Sequence, residues 1–319
     1  MTSNHLPYNN ILIIGGTGFI GWNLLQTQIQ SSSRFTILSR TPPKLNNKKS
    51  ANTPNFQHVI GTVTNRSLIS KLVKSHELII YLAGAGPLPS INKPQLDLKT
   101  TCLGALNLLE TAKKLNPACR LVFTGSVHEK PLHQNAPTFS PPYAIHRHTL
   151  TNYLKYYRQS SDIKITSVLF HSLYGPHPLP EPQHYNIINH FIDQALRDNA
   201  LTIYGDGKQE MSITYIEDAL EAMINIINNP PPNHIQTEIY SDQFYSINHI
   251  VKEILSITGQ GSVKYIPWPK KFDTYTPPIH SKSSSHPQHR ITPTTPLISG
   301  LRKTINIQHA LHQHIKTTE

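Results

Sequence analysis

Short apolar runs alternate with longer stretches whose apolar residues recur at helical spacing. The runs fall at 11–14, 35–38, 58–60, 78–82, 120–124 and 165–169. Between them, helical patterns run from the glycines after Ile14 through Gln30, after Asn65, over 95–115, and onward from near Tyr143. Runs with no polar alternation predict strands buried on both faces. Their alternation with helices predicts βαβ units and a parallel sheet.

After Leu169 this rhythm breaks. Prolines cluster at 176–182, 230–232 and 267–296, and helical patterns recur at 185–198, 216–228, 246–257 and 298–313. The expected fold class is α/β: a Rossmann-like doubly wound parallel sheet over 8–175, with a smaller C-terminal substrate-binding lobe over 176–319. That lobe is expected over the carboxyl edge of the sheet, with the chain crossing back between the two. The segment 274–296, rich in Pro, Ser, Thr and His, reads as a long loop or as local disorder. No internal repeat is present.

Composition narrows the partners. Of 319 residues only 15% are charged, 26 are proline, and the net charge is +11. That excess favours an anionic partner, such as a phosphorylated cofactor or a nucleotide-linked substrate. The basic residues form no stripe, which argues against nucleic acid. The two cysteines, Cys102 and Cys119, lack metal or redox spacing and fit a reducing, cytoplasmic setting; Cys102 reads as a buried thiol. The start, MTSNHLPYNN, has no basic and apolar leader pattern. No apolar run approaches the ~20 residues of a membrane helix. His309, His312 and His314 have no carboxylate or cysteine at ligand spacing, so they read as a solvated helix face and no metal is expected.

The first candidate chemistry is Ile14-Gly15-Gly16-Thr17-Gly18-Phe19-Ile20-Gly21, between the first strand and the first helix. Glycines spaced by three there permit a tight turn, close approach of a pyrophosphate and close helix–strand packing. The helix start, at Phe19 and Ile20, turns its unpaired amides toward the phosphates. The second strand ends in Leu38-Ser39-Arg40, with no Asp or Glu from Ile29 to Val63. An acidic residue there would bind the ribose hydroxyl of NAD, whereas Arg40 suits a 2′-phosphate. NADP is therefore favoured over NAD, the other reading being a solvated arginine beside an NAD site.

The second candidate is PPYAIHRH at 141–148. Tyr143 and Arg147 lie one turn apart on a helix face. Spacing alone leaves two readings, a proton-transfer pair or the polar start of a helix.

Taken in order, these motifs resemble the extended short-chain dehydrogenase/reductases, in the group of NAD(P)-dependent epimerases and dehydratases. GGTGFIG at 15–21 is joined by Tyr81-Leu-Ala-Gly84, Gly104-Ala-Leu-Asn-Leu-Leu-Glu110 and Leu121-Val-Phe-Thr-Gly-Ser126. Leu173-Tyr-Gly-Pro176, Tyr204-Gly-Asp-Gly-Lys-Gln209, Tyr215-Ile-Glu-Asp218 and the closing segment 293–304 follow. The likeness spans roughly 10–305. It implies an NAD(P)-dependent oxidoreductase or epimerase acting on a sugar, nucleotide-linked as the family's substrates are. It implies Tyr143 as acid/base, Ser126 beside the same substrate oxygen, and Arg147 where the family's lysine stands. Thr62, Val63, Leu82, Ala83 and Gly84 would line the cofactor, and Ser172, Lys208 and Met211 the substrate. It also implies a homodimer through helices near 95–115 and 143–159.

Departures from the pattern carry information. Arg147 brings a permanent charge but a fixed proton and a larger fork. Ser172 replaces an asparagine, Met211 replaces a diphosphate-binding arginine, and Thr62 and Asn65 replace aspartates near the adenine. Val127-His128 replaces the Asp-Glu pair of 4,6-dehydratases, which sets elimination chemistry aside. His128 and Glu129 read as solvated loop residues, His146 and His148 as pointing away from Tyr143, and His171 as a strand-end residue near the site. Two alternatives stay open: an NADP-dependent reductase of a non-nucleotide carbonyl substrate, and a cofactor-binding protein that has lost catalysis.

Overall fold

A computed structural model describes residues 5–41, 55–129, 141–177, 186–232, 234–241, 243–268, 288–291 and 294–316. The first half runs β1 (Asn10–Ile14), α1 (Phe19–Thr27), β2 (Arg34–Ser39), β3 (Phe56–Ile60), α2 (Arg66–Val73), β4 (Leu78–Tyr81), α3 (Pro87–Asn92) and α4 (Pro94–Leu98). A π-helical turn (Lys99–Leu103) joins α4 to α5 (Gly104–Leu115). Then come β5 (Arg120–Ser126), α6 (Pro142–Ser160) and β6 (Lys164–Phe170). Each predicted strand and helix of this half is present, with ends shifted by up to three residues and the pattern over 95–115 divided into α4, the π turn and α5.

The second half adds β7 (Ser172–Tyr174), α7 (Ile187–Leu196), β8 (Ala200–Tyr204), β9 (Glu210–Tyr215) and α8 (Ile216–Asn228). After these follow β10 (Gln236–Ser241), β11 (Phe244–Ser246), α9 (Ile247–Thr258), β12 (Ser262–Ile266), β13 (Gln288–Ile291) and α10 (Leu297–Lys316). Among the described residues the main sheet has eight strands, in the order β13-β10-β6-β5-β4-β1-β2-β3. All of its pairings are parallel.

Strand side chains alternate between two cores, as the pleat requires. Ile11 and Ile13 join Leu24 of α1 and Leu220 and Ile227 of α8 on one face. Leu12 and Ile14 join Leu108 of α5 and Leu150 and Leu154 of α6 on the other. With both faces covered by helices, this is a doubly wound sheet, and β1 lies where the strand order reverses. In such sheets ligands bind outside the carboxyl ends of the strands at that reversal.

Two strands of the C-terminal half, β10 and β13, extend the main sheet beyond β6. Neither was legible as a strand. Gln236 and Glu238 of β10 are buried polar residues on one strand face. The strand Gln288–Ile291 lies inside the segment expected to be a loop or disordered, and it pairs with β10 as an edge strand. The rest of that segment before Gln288 falls outside the described residues. The motif around Asp218 locks the closing segment: its carboxylate accepts from Thr294 Oγ1 at 2.7 Å, Thr295 Oγ1 at 3.0 Å and the Thr295 amide at 3.2 Å. Among the described residues no helix is long and apolar enough to cross a membrane.

Candidate functional site

The glycine turn has three different demands on its glycines. Gly15 has φ +85°, and a Cβ there would fall 2.9 Å from the Ala83 amide nitrogen, so the turn presses against the end of β4. A Cβ on Gly21 would meet the Gly16 Cα at 2.5 Å, which sets how closely α1 crosses β1. Gly18 differs, because a Cβ there would meet only the Gly15 carbonyl at 3.4 Å. The space over Gly18 is open. Gly18 also precedes α1, whose start has no side-chain cap and no acidic residue in its first turn. The amides of Phe19 and Ile20 therefore face an open space with the helix dipole behind them, an arrangement suited to an anion.

The far end of this cleft is the carboxyl end of β2. The Ser39 hydroxyl donates to the Thr41 carbonyl at 2.6 Å and contacts His58 Nε2 at 2.7 Å, while Arg40 is exposed. Burial lowers the pKa of His58. Val63 is buried, with its carbonyl accepting from Asn107 Nδ2 at 3.1 Å. Thr62 is exposed and its hydroxyl contacts that of Thr64 at 3.1 Å. Asn65 caps α2, accepting from the Leu68 amide.

Residues 82–84 connect this cleft to α6. Leu82 bonds back to Ile14 at 2.9 Å, Ala83 touches Gly15, and Gly84 touches Arg147. A Cβ on Gly84 would lie 2.4 Å from Arg147 Nη2, so the guanidinium fills the room that the missing side chain leaves. Arg147 is 6% exposed. Its Nη1 donates to the Thr124 carbonyl at 2.6 Å, and its Cζ lies 5.3 Å from the centre of the Tyr143 ring. Its Nε is buried without a hydrogen-bond partner. No carboxylate pairs with it among the described residues. A buried cation held only by a carbonyl and an aromatic ring has unused hydrogen-bonding capacity.

Tyr143 begins α6 with its amide donating to Ser90 Oγ at 3.1 Å. Ser126 ends β5, 7% exposed, and its hydroxyl accepts from the His128 amide at 3.4 Å. The ring of His128 meets the Tyr143 ring edge-on with centroids 5.9 Å apart. The structure thus gathers Ser126, Tyr143 and Arg147 at the ends of β4 and β5, joined through His128.

Several polar groups are engaged in ways that the sequence did not announce. Glu129 is fully buried rather than solvated: Oε1 accepts from the Ser126 amide at 3.2 Å and Oε2 from Thr151 Oγ1 at 2.6 Å. His128 is half-buried, and burial together with the charge of His171 pushes its pKa down to about 4. His146 is engaged elsewhere; its Nδ1 meets the buried Asp97 at 2.7 Å. Asp97 also accepts from the Ala85 amide at 3.1 Å and Thr101 Oγ1 at 2.8 Å, clamping the 82–86 loop to α4 and α6. No sequence signal marked Asp97; its burial by three partners is a tertiary fact. His171, at the end of β6, is buried and pairs with Glu238 of β10. On α10, His312 meets Asp193 of α7 at 3.2 Å instead of lying on a solvated face.

The substrate-lobe residues are less concentrated. Ser172 is half-buried in β7, which pairs with β9. Met211 lies on β9 and packs against the core cluster of the first face. Lys208 is exposed in the turn between β8 and β9, 3.5 Å from the exposed Asp206. The structure does not bring Lys208 to Tyr143 through any contact among the described residues.

Comparisons with known proteins agree with this fold. Residues 11–237 match the family described as the NAD dependent epimerase/dehydratase family. The UDP-N-acetyl-alpha-D-glucosaminuronate decarboxylase of Bacillus cytotoxicus is 26% identical over 277 residues, covering 82% of this chain and 84% of that protein. The UDP-glucose 4-epimerase of Thermotoga maritima, solved with UDP-glucose, superposes with a TM-score of 0.76 at 21% identity, over 97% of this chain and 100% of that one. The UDP-glucuronic acid 4-epimerase of Bacillus cereus, solved with UDP-glucuronic acid and NAD, gives 0.75 at 21%, over 95% and 99%.

Proposed function

This chain belongs to the NAD dependent epimerase/dehydratase family, and on that premise we propose that it oxidises or epimerises a nucleotide-linked sugar by hydride transfer. The observation that carries this reading is the contact chain Gly15–Ala83–Gly84–Arg147–Tyr143. It sets an open anion cradle and a tyrosine–cation pair on either side of one loop.

The residues fit a dinucleotide: the space over Gly18 is open, the first amides of α1 lack side-chain acceptors, and Arg147 Nε has no partner. Bound there, a nicotinamide dinucleotide supplies a hydride acceptor. Gly15, Gly18, Phe19, Ile20 and Gly21 would hold its pyrophosphate. Thr62, Val63, Leu82, Ala83 and Gly84 would flank it, and Arg147 would offer it the unpartnered Nε. Tyr143 takes the proton of the sugar hydroxyl being oxidised and returns it when the ketone is reduced. Ser126 hydrogen-bonds the same oxygen. At the ribose nearest β2, Ser39 and the exposed Arg40 favour NADP over NAD, because no carboxylate stands there to accept from a 2′-hydroxyl.

The substrates of the similar proteins suggest two probes, UDP-glucose and UDP-glucuronic acid. Oxidising the hydroxyl β to a uronic carboxylate also opens decarboxylation, since a β-keto acid loses carbon dioxide readily. That reaction was not among those the sequence pointed to. Met211 favours a second reading, reduction of a carbonyl compound with no diphosphate, because it offers no cation and packs into the core. Incubation of each UDP-sugar with NAD or NADP, with products read by proton NMR, tests the proposal. Formation of an epimer or a pentose supports it, and unchanged sugar with every cofactor refutes it.

A homodimer is part of the same proposal. Leu96, Leu103, Ile145, Tyr153 and Tyr156 are exposed apolar residues on the segment 94–115 and on α6. Exposed apolar residues on neighbouring helical segments suit a partner face of the same kind. Light scattering would give twice the chain mass, and Tyr156→Glu would give one.

A further inference from the structure

The ring of Tyr143 has two neighbours of different character. Arg147 lies over it with Cζ 5.3 Å from the ring centre, and His128 meets it edge-on at 5.9 Å with an interplanar angle of 77°. His128 also holds Ser126, because its amide donates to Ser126 Oγ. One residue therefore contacts both members of the proposed proton-handling pair.

The turn that carries His128 is anchored. Val127–Glu129 form a single 3-10 turn directly after β5. Glu129 bonds the Ser126 amide on one side and Thr151 of α6 on the other, and Gln236 Nε2 of β10 donates to the same Thr151 hydroxyl at 2.9 Å. The turn thus moves only if α6 and β10 move with it. Two faces of Tyr143 are then fixed from separate elements: Arg147 from one turn further along α6, and His128 from the end of β5.

The surroundings of the imidazole oppose its charging. Burial does so first, and the charge of His171, at the end of β6 and itself paired with Glu238 of β10, adds to it.

We infer that His128 is a positioning residue whose ring sets the Tyr143 side chain in register with the Ser126 hydroxyl, so that both meet one substrate oxygen. The inference rests on the reading of Ser126 and Tyr143 given above. Arg147 alone cannot do this, because an edge-on ring restrains the tyrosine in a direction that a cation over its face leaves free.

The test uses the full chain in four forms: parent, His128→Ala, His128→Phe and Tyr143→Phe. Each is labelled with 3-fluorotyrosine, and the resonance of residue 143 is assigned by its absence from Tyr143→Phe. In His128→Ala the resonance moves, and kcat on UDP-glucuronic acid or UDP-glucose falls about 100-fold, the cost of a misplaced catalytic group, with KM little changed. In His128→Phe, which keeps a ring and removes the nitrogens, the resonance returns toward the parent position and most of kcat is recovered. An unmoved resonance in His128→Ala overturns the inference. So does an unchanged kcat, or an equal loss in both variants, since the last would assign the nitrogens a chemical role. Failure of the underlying reading looks different: Tyr143→Phe would then turn over as fast as the parent, or the parent would act on neither sugar, and the resonance would still decide the place of His128.

Discussion

The guanidinium of Arg147 is shared between a backbone carbonyl and the ring of Tyr143: Nη1 reaches Thr124 O at 2.6 Å while Cζ sits 5.3 Å from the ring centre. An arginine cannot surrender its proton, so in the proposed reaction it would serve through charge and position. Arg147→Lys shortens the head but keeps the cation, and turnover should stay within about tenfold of the parent. Arg147→Ala removes both, and turnover should drop by about 10²–10⁴-fold, the usual worth of an acid–base step. Steady-state kinetics on the same UDP-sugar decides the matter. Equal losses in both variants would show that the fork geometry itself is required.

The glycines of the first turn should separate folding from binding. A methyl at Gly21 collides with backbone at 2.5 Å, whereas one at Gly18 meets nothing closer than 3.4 Å. Gly21→Ala should therefore lower stability by about 1–3 kcal/mol, the range for overpacking, and weaken dinucleotide binding as well. Gly18→Ala should melt like the parent yet bind dinucleotide poorly. Thermal melts with and without cofactor, beside calorimetric affinities, read both outcomes.

Stability should depend on pH through His128. Its folded pKa, about 4, lies below its ordinary 6.5. The unfolded chain then binds the proton more readily, so the contribution is whole above pH 6.5 and is lost as pH falls toward 4. The loss amounts to at most about 3 kcal/mol for a shift of this size. His76, whose pKa burial also lowers, acts in the same direction. Chemical denaturation across this window should show stability falling with acid, and His128→Phe should flatten part of the slope.

Cofactor choice turns on the end of β2. Arg40 is exposed and the Ser39 hydroxyl is already engaged with Thr41 and His58. Arg40→Ala should weaken NADPH by about tenfold or more, the scale of a lost charge-assisted hydrogen bond, and leave NADH nearly unchanged. Parent protein that binds the two equally would remove the case for NADP.

How much of this was readable beforehand follows from where the information lies. The strands and helices before Leu169 announce themselves because parallel strands covered on both faces must be apolar throughout. The pair Tyr143 and Arg147 was visible from helical spacing, and the glycine turn from its place between β1 and α1. By contrast β10 and β13 are polar strands. Gln236 and Glu238 are tolerated there only because Thr151 and His171 wait across the interior. Glu129 read as a solvated loop residue and nothing in the sequence marked Asp97 or Glu238, since partners such as Thr151 and His146 are remote in sequence. Burial of a charge is decided by the fold, and no local pattern reports it.

The central claim is that Tyr143 moves the proton while a bound dinucleotide takes the hydride. The direct measurement is a single-turnover reaction of cofactor-loaded protein with UDP-glucuronic acid and with UDP-glucose, following the near-ultraviolet absorbance of reduced nicotinamide in parent and Tyr143→Phe. The account predicts that reduced cofactor forms in the parent with at least one of the two sugars. In the variant its formation should fall by about 10²-fold or more, with dinucleotide affinity unchanged. Equal rates in parent and variant would contradict it.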